Sequence, residues 1–252
     1  MDIWSADNKI YFREDGMKSL GYTDFDEGLF EKIKAVNWSV AKGRYLYSST
    51  LKRSLHQVVM AHWYGEDAFA ESRKRGFIVE HHNNEGFDCQ ISNLSFAPDR
   101  INKSKAFTYD QDRLDVMSKM AVNFYKDFKS QRYQITIGFN KSHYLVIPKQ
   151  NKAINVTAIY LLYNDDFYRT LTDATTLIHE MRMYGQVKLS NLRYEKMQYE
   201  EAILVELEPG KEDALFFEHE GKFVIRLGTE HAIINAISPN QNLYSNDDEK
   251  ES

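Results

Sequence analysis

Residues 77–105, FIVEHHNNEGFDCQISNLSFAPDRINKSK, decide how this chain is interpreted. The stretch places an acid, Glu80, directly before His81, and two well-spaced asparagines follow, Asn93 and Asn102. The apolar runs on either side are rich in β-branched and aromatic residues, which is typical of strands, and the polar residues between them are typical of a loop. We therefore predict a strand, a loop, a returning strand and then a helix that begins near Pro98.

These residue types together favour metal-assisted hydrolysis of a phosphodiester. Glu80 is a hard oxygen ligand suited to Mg²⁺ or Mn²⁺. His81 titrates near neutral pH and can take a proton from an attacking water. Asn102, on the following helix, can offer a second oxygen to the ion, and Asn93 can hold the histidine ring in position. One base and one metal ion are sufficient for this reaction.

The segments before this stretch have patterns of their own. Residues 38–47 are predicted to form two short strands with a turn at Lys42 and Gly43. Ser54 is predicted to cap a helix over residues 55–64, which ends at Gly65. Residues 1–37 are predicted to form a hairpin or arm followed by a helix.

A basic segment, residues 42–76, adjoins the central stretch. It holds seven basic residues against three acidic ones, a net charge of +4 in a chain of net charge −5. Such a segment can contact a phosphate backbone, or it can be an ordinary solvated surface. The candidate DNA-binding residues are Lys42, Arg44, Lys52, Arg53, Arg73, Lys74 and Arg75.

The central stretch and its lead-in resemble the HNH endonucleases, in the His-Asn-Asn form found in phage and intron homing-type nucleases. The resemblance covers about residues 37–107. It is carried by five segments in the family's order and spacing: GRY at 43–45, SLHQVV at 54–59, VEHHN at 79–83, ISNL at 91–94 and Asn102.

The resemblance implies a ββα-metal fold and a role for each motif residue. His81 becomes the general base, and Glu80 and Asn102 become the ligands of one divalent cation, Mg²⁺ or Mn²⁺. Asn93 orients His81 or braces the loop. The implied activity is a metal-dependent DNA endonuclease whose products carry 5′-phosphate and 3′-hydroxyl ends.

Two further histidines belong to the candidate site as accessory residues. His56 occupies the position of a family histidine that we interpret as structural. His82 adjoins the site, either as a loop side chain that faces solvent or as a contact for the scissile phosphate.

The chain departs from the family at Glu80, where the family usually has Asp. The extra methylene matters because Mg²⁺ demands near-octahedral geometry. The alternative function is therefore a catalytically weakened HNH module that acts as a DNA- or protein-binding factor. A third interpretation is an unrelated α+β protein in which the acid and the histidines are surface residues.

Length and composition set the limits for the whole chain. Its 252 residues are 42% hydrophobic, enough for one large domain or two of ordinary size. A single cysteine, Cys89, excludes an internal disulfide and zinc sites built from two or more cysteines. The N-terminal residues lack the pattern of a signal peptide, so we expect a soluble, cytoplasmic protein without membrane association. The resemblance suggests a bacterial or phage-infected host cell.

Residues 108–252 are predicted to form a separate α+β domain without a catalytic constellation. We predict helices over residues 110–131, 165–184 and 230–237, and strands over 133–139, 144–147 and 154–163, with a hairpin over 214–227. Several acidic residues cluster between 206 and 220, and the chain ends in an acidic tail. This half is therefore expected to contact a protein partner or to have an architectural role.

Overall fold

The computed structural model describes residues 1–99, 120–147, 151–206, 216–219, 222–226, 231–235 and 243. The chain divides into two compact units, residues 1–99 and 100–252. Both strands and helices occur, so the predicted α+β class is confirmed. The predicted boundary at residues 107 and 108, the predicted helix after Pro98 and the candidate ligand Asn102 lie outside the described residues.

The first unit begins with an antiparallel three-stranded sheet, where a hairpin or arm was expected. Its strands are β1 (Asp2–Ala6), β2 (Lys9–Arg13) and β3 (Gly21–Asp24). The β1–β2 turn has positive φ at both central residues, Asp7 and Asn8, which matches the right-handed twist of a two-residue hairpin.

Three helices and three short strands follow in the first unit. They are α1 (Glu27–Lys34), β4 (Ser39–Ala41), β5 (Tyr45–Ser48), β6 (Arg53–Ser54), α2 (Leu55–Tyr64) and α3 (Glu66–Lys74). The predicted helix over 55–64 is confirmed, and the Ser54 backbone N–H donates to the Gln57 side chain at its start. The turn predicted at Lys42 and Gly43 is also present, with positive φ at both residues.

The central hairpin is the last part of the first unit in chain order. Strand β7 (Phe77–His81) pairs antiparallel with β8 (Leu94–Pro98), with a single 3-10 turn (Ile91–Asn93) before β8. Phe77, Leu94 and Phe96 are at most 1% exposed. Burying each such side chain contributes about 1.5–3 kcal/mol, so the hairpin that carries the candidate site is anchored by its own apolar residues.

Among the described residues of the second unit there are two antiparallel sheets and one long helix. The first sheet has the order β12 (Lys196–Glu201), β11 (Lys152–Tyr163), β10 (Arg132–Ile147) and β9 (Met120–Asp127). Helix α4 (Phe167–Tyr184) ends at Gly185, as predicted, with the left-handed conformation that favours glycine. The second sheet orders β13 (Ile203–Glu206), β16 (His231–Asn235), β15 (Lys222–Arg226) and β14 (Phe216–His219).

Two predicted helices of this unit are wrong where the structure describes them. Residues 120–127 form β9, in which Met120, Val122 and Phe124 are buried at alternate positions. Residues 231–235 form β16, which pairs with β13 and β15. Pairing with neighbouring strands outweighs the helical spacing of the apolar residues in both segments. No helix among the described residues is long and apolar enough to cross a membrane.

Candidate functional site

The candidate site lies where β7 ends and the loop of residues 82–90 begins. His81 is the last residue of β7, opposite Leu94, and Glu80 lies opposite Ser95. Adjacent strand residues point to opposite faces, so only the end of the strand allows these two side chains to serve one site. The hairpin thus places the acid and the histidine at the point where the backbone leaves the sheet.

The imidazole of His81 is enclosed by three side chains. Its Nε2 lies 3.8 Å from Cys89 Sγ, and its ring centroid is 4.9 Å from that of His56 and 5.9 Å from that of Tyr45. The residue is 7% exposed. His56, which was predicted from sequence as an accessory residue, is therefore in direct ring contact with the candidate base.

Burial keeps both histidines neutral near pH 7. It lowers the pKa of His81 to about 4, an effect that the Asp88 carboxylate opposes and the Arg44 guanidinium reinforces. Burial, then the repulsion that a protonated His81 would exert, and then the Arg73 charge lower the pKa of His56 to about 3. A neutral imidazole is the form that accepts a proton, so His81 is in the state that a general base requires.

Glu80 is buried as well, at 9% exposure. Because Glu80 and His81 are both buried, neither is the exposed surface residue that the third interpretation of the sequence assumed. The Glu80 carboxylate is the candidate metal ligand nearest to His81 in the sequence. A carboxylate together with an amide oxygen, such as that of Asn102, suits Mg²⁺ or Mn²⁺.

Asn93 fastens the loop that follows His81. Its Nδ2 donates to Asn83 Oδ1 at 3.0 Å and to the Asp88 carbonyl at 2.8 Å, and its Oδ1 accepts from the Asn83 N–H at 3.1 Å. Its backbone carbonyl also accepts from the His82 N–H at 2.9 Å. Of the two roles that the sequence left open for Asn93, these contacts correspond to bracing the loop.

Asp88 is a site residue that the sequence analysis missed. It is 7% exposed and accepts from Asn83 Nδ2 at 2.9 Å and from the Gln90 N–H at 3.2 Å. Its charge partly offsets the lowering of the His81 pKa by burial. Burial and the Asp88 charge also raise the pKa of Tyr22 to about 12. An acid flanked by loop residues and followed by a cysteine carries no distinctive pattern, so only the fold identifies it.

The N-terminal sheet, through strand β3, is hydrogen-bonded to residues 87–91 of the loop region. Tyr22 in β3 donates its N–H to the Phe87 carbonyl and accepts from the Cys89 N–H, each at 2.9 Å. The Thr23 hydroxyl donates to the Cys89 carbonyl at 2.8 Å, and Asp24 accepts from the Ile91 N–H at 2.6 Å. These hydrogen bonds cross the predicted boundary at residue 37, and no local sequence pattern indicates them.

The basic candidates fall into two groups. Four are engaged within the first unit: Arg53 with Glu66 at 2.7 Å, Lys74 with Glu71 at 3.9 Å, Arg75 with Glu71 at 2.8 Å, and Arg73 with the Phe77 carbonyl at 3.0 Å. The other three, Lys42, Arg44 and Lys52, are exposed and form no ion pair within residues 1–99. Arg44, whose charge acts on His81, is the cation that links this second group to the site.

Gly86 allows the loop to lie against the basic segment. A Cβ at this position would lie 2.2 Å from the Arg44 carbonyl oxygen and 2.8 Å from the Tyr45 ring. Only glycine fits such a close backbone approach. The loop after His81 and the turn that carries Arg44 are therefore in van der Waals contact.

The donor set for a metal ion is described only in part. Among residues 1–99 and the other described segments, no group of three or more His, Cys, Asp or Glu side chains is arranged to hold an ion. The predicted ligand pair needs only Glu80 from that part of the chain, because Asn102 lies outside it. His82, two residues after Glu80 in the chain, is half-buried.

The second unit contains a cavity of about 770 Å³ between its first sheet and the end of α4. Its lining is mostly apolar and includes Phe139, Leu145, Val156, Met181 and Tyr194. The described residues that line it include His143 and Lys188 but no acid, so they do not offer the neighbouring acid and histidine of the central hairpin.

Comparison of the chain with protein-family models, with curated proteins and with solved structures gives no match.

Proposed function

We propose that this protein is a metal-dependent DNA endonuclease of the HNH class. The observation that carries the proposal is the position of a neutral, enclosed His81 at the end of β7, next to Glu80 and before a loop fastened by Asn93. The order and spacing of the motifs, which resemble those of the HNH family, also support the proposal. DNA is the proposed substrate because the exposed cations Lys42, Arg44 and Lys52 belong to the same unit.

In the proposed reaction, His81 takes a proton from a water molecule, and the resulting hydroxide attacks the phosphorus. The P–O bond to the 3′ oxygen breaks, and that oxygen leaves with a proton from solvent. Because Nε2 faces the Cys89 thiol, we assign Nδ1 as the nitrogen that accepts the proton. The Asp88 charge then favours the imidazolium that forms.

Glu80 and Asn102 are the proposed ligands of one Mg²⁺ or Mn²⁺ ion. Such an ion, when bound, supplies positive charge to the phosphate and to the leaving oxygen. Arg44 is the proposed contact for the DNA backbone, since its charge already acts on His81.

A plasmid-nicking assay with added Mg²⁺ or Mn²⁺ tests the proposal. Wild-type protein is expected to nick the plasmid, and His81→Ala is expected to lose at least about 100-fold of that activity, the usual contribution of a general base. His179→Ala, which changes an exposed histidine of α4, is the matched control and should retain activity. Cleavage that survives His81→Ala would exclude the proposed base.

Glu80→Asp and Glu80→Gln test the metal ligand. The first shortens the side chain to the length that the family usually has, and the second removes the negative charge while it keeps the size. If Glu80 holds the ion, Glu80→Gln should slow cleavage and raise the metal concentration that half-maximal cleavage needs. Unchanged metal dependence in both variants would contradict the assignment.

The second candidate is a weakened HNH module that binds DNA or a protein without cutting. The burial of Glu80 and His81, at 9% and 7% exposure, favours it, because a substrate must reach both groups. Retained DNA binding with no cleavage by either wild type or His81→Ala would establish this second function and reject the first.

A further inference from the structure

Three aromatic side chains form a ladder across the N-terminal sheet. The register places Trp4 opposite Tyr11 and Tyr11 opposite Tyr22. The Trp4 and Tyr11 rings stack with centroids 5.5 Å apart and planes 19° apart, and Tyr11 and Tyr22 are 6.3 Å apart. We name Trp4, Tyr11 and Tyr22 the aromatic ladder.

The aromatic ladder lies on the face of the sheet away from the core. On β2, the neighbours of Tyr11 are Ile10 and Phe12, which are both 0% exposed and point to the opposite face. Trp4 is 39% exposed, and Tyr11 and Tyr22 are half-buried. Ile10 and Phe12 face the core, so the three rings lie on the outer face of the sheet, where Trp4 is the most exposed of the three.

The aromatic ladder leads to the candidate site. Tyr22, at the inner end of the ladder, is hydrogen-bonded through its backbone to Phe87 and Cys89, and burial and then the Asp88 charge raise its side-chain pKa. Lys9 Nζ lies 4.7 Å from the centre of the Tyr22 ring and 3.3 Å from Gln90 Oε1. The outer face therefore runs from Trp4 to the loop that holds His81.

We propose that the aromatic ladder binds unpaired nucleobases of the DNA strand beside the scissile phosphate. The proposal rests on the nuclease function proposed above and adds to it a substrate class: DNA with a single-stranded or unstacked segment next to the cut. Aromatic rings bind any base by stacking, which contributes about 1–3 kcal/mol per base.

Charge on this face favours bases over the phosphates of a duplex. Lys9 and Arg13 are balanced by Asp2 and Asp24, with Asp2 paired to Arg13 and Asp24 paired to Lys9 in the register. A neutral face gives little counterion release, and a duplex hides its base faces inside the stack. Of these two forms of DNA, the one with unpaired bases presents the flat base surface on which an aromatic ring can stack.

Binding measured in EDTA separates this proposal from cleavage. Fluorescence anisotropy is recorded with a labelled oligothymidylate and with a labelled duplex for wild type, Trp4→Leu, Trp4→Phe and Tyr168→Leu. Leu keeps apolar bulk but has no ring, Phe keeps a ring, and Tyr168 is an exposed tyrosine of α4 outside the ladder. Thermal melting verifies that each variant is folded.

Trp4→Leu is expected to weaken binding of the single strand by about 5- to 150-fold, the loss of one stacked base. Trp4→Phe should recover most of that loss, and Tyr168→Leu should bind like wild type. Binding of the duplex should change less than about twofold, since its bases are already stacked.

Three outcomes would overturn the proposal: no binding of the single strand by wild type, equal losses for single strand and duplex, or a loss in Trp4→Leu that Trp4→Phe does not recover. If Trp4→Leu does not fold, Tyr11→Leu and Tyr11→Phe provide the same comparison on the middle ring. Ring-dependent binding of the single strand in a protein that does not cut DNA would reject the nuclease and retain the ladder.

Discussion

Cys89 Sγ lies 3.8 Å from Nε2 of His81, and the His56 ring covers the same imidazole at 4.9 Å between centroids. Burial raises the pKa of the Cys89 thiol, so the group that faces His81 is a neutral thiol. The imidazole is therefore surrounded by uncharged neighbours on two sides. Its proton affinity depends mainly on burial and on the Asp88 carboxylate.

The first prediction concerns pH. The pKa of His81 is about 4 in the folded protein and about 6.5 when unfolded, so the unfolded chain binds more protons between these values. The contribution to stability that results from the lowered His81 pKa is present in full above about pH 6.5 and is lost as the pH falls towards 4. Between pH 7 and pH 5, His81 alone should cost about 2 kcal/mol of the free energy of unfolding.

Urea denaturation of wild type and His81→Gln at the two pH values measures this effect. The variant should show a smaller decrease between pH 7 and pH 5. His179→Gln controls for the loss of a histidine that is exposed. An equal decrease in wild type and His81→Gln would show that His81 is not the linked group.

The second prediction concerns the brace at Asn93. Asn93→Ala removes three side-chain hydrogen bonds to Asn83 and Asp88 and should destabilise the protein by about 1–3 kcal/mol. Hydrogen exchange at the Asn83 amide should accelerate, since that amide loses its acceptor. Ser92→Ala, at an exposed neighbouring position, is the control. Unchanged exchange at Asn83 would show that the loop is held by other contacts.

The third prediction compares two glycines. Gly86→Ala would place Cβ 2.2 Å from the Arg44 carbonyl, so backbone must move and stability should fall by about 1–3 kcal/mol. Gly28→Ala meets only ordinary contacts, at 3.4 Å and beyond, and lies in α1, where alanine is the better helix former. Thermal melting should show a lower midpoint for the first variant alone, and similar midpoints would contradict the close approach.

The fourth prediction concerns the exposed cations. Arg44→Gln should weaken binding of duplex DNA and reduce the slope of log affinity against log salt by about 1. Arg75→Gln should change both quantities less, because Arg75 Nε is 2.8 Å from Glu71. A salt series of anisotropy titrations measures the two slopes. The assignment of Arg44 fails if the two variants are equivalent.

Local patterns were sufficient where a segment has one strong period or a clear end signal. Helix α4 with Gly185, helix α2 with Ser54, and strands β7 and β11 were predicted from such signals. Strand β10 was predicted as two strands, 133–139 and 144–147, whereas the structure has one strand, Arg132–Ile147. The segment around Phe124 failed because Met120, Val122 and Phe124 alternate while Phe124 and Phe128 also fit a helical step. Pairing with β10 decides between the two periods, and a pairing partner cannot be identified from the segment alone.

The candidate site shows the same division. Glu80, His81 and Asn93 were identified by their order in the chain, and their spacing is a local property. Asp88 and Tyr22 were missed because their importance comes from contacts between segments that are far apart in the sequence. Charge alone did not distinguish among the seven basic residues. In the structure, three of them form ion pairs with Glu66 or Glu71.

The hydrogen bonds from Tyr22, Thr23 and Asp24 to the loop of residues 87–91 have a consequence for how the protein folds. They join segments more than 60 residues apart, and such contacts form only after a long stretch of chain has been closed into a loop. The site is therefore expected to mature late in folding, after the local hairpins and helices. A fragment that begins at residue 38 would contain every motif residue but would lack strand β3, to which the loop of residues 87–91 is hydrogen-bonded.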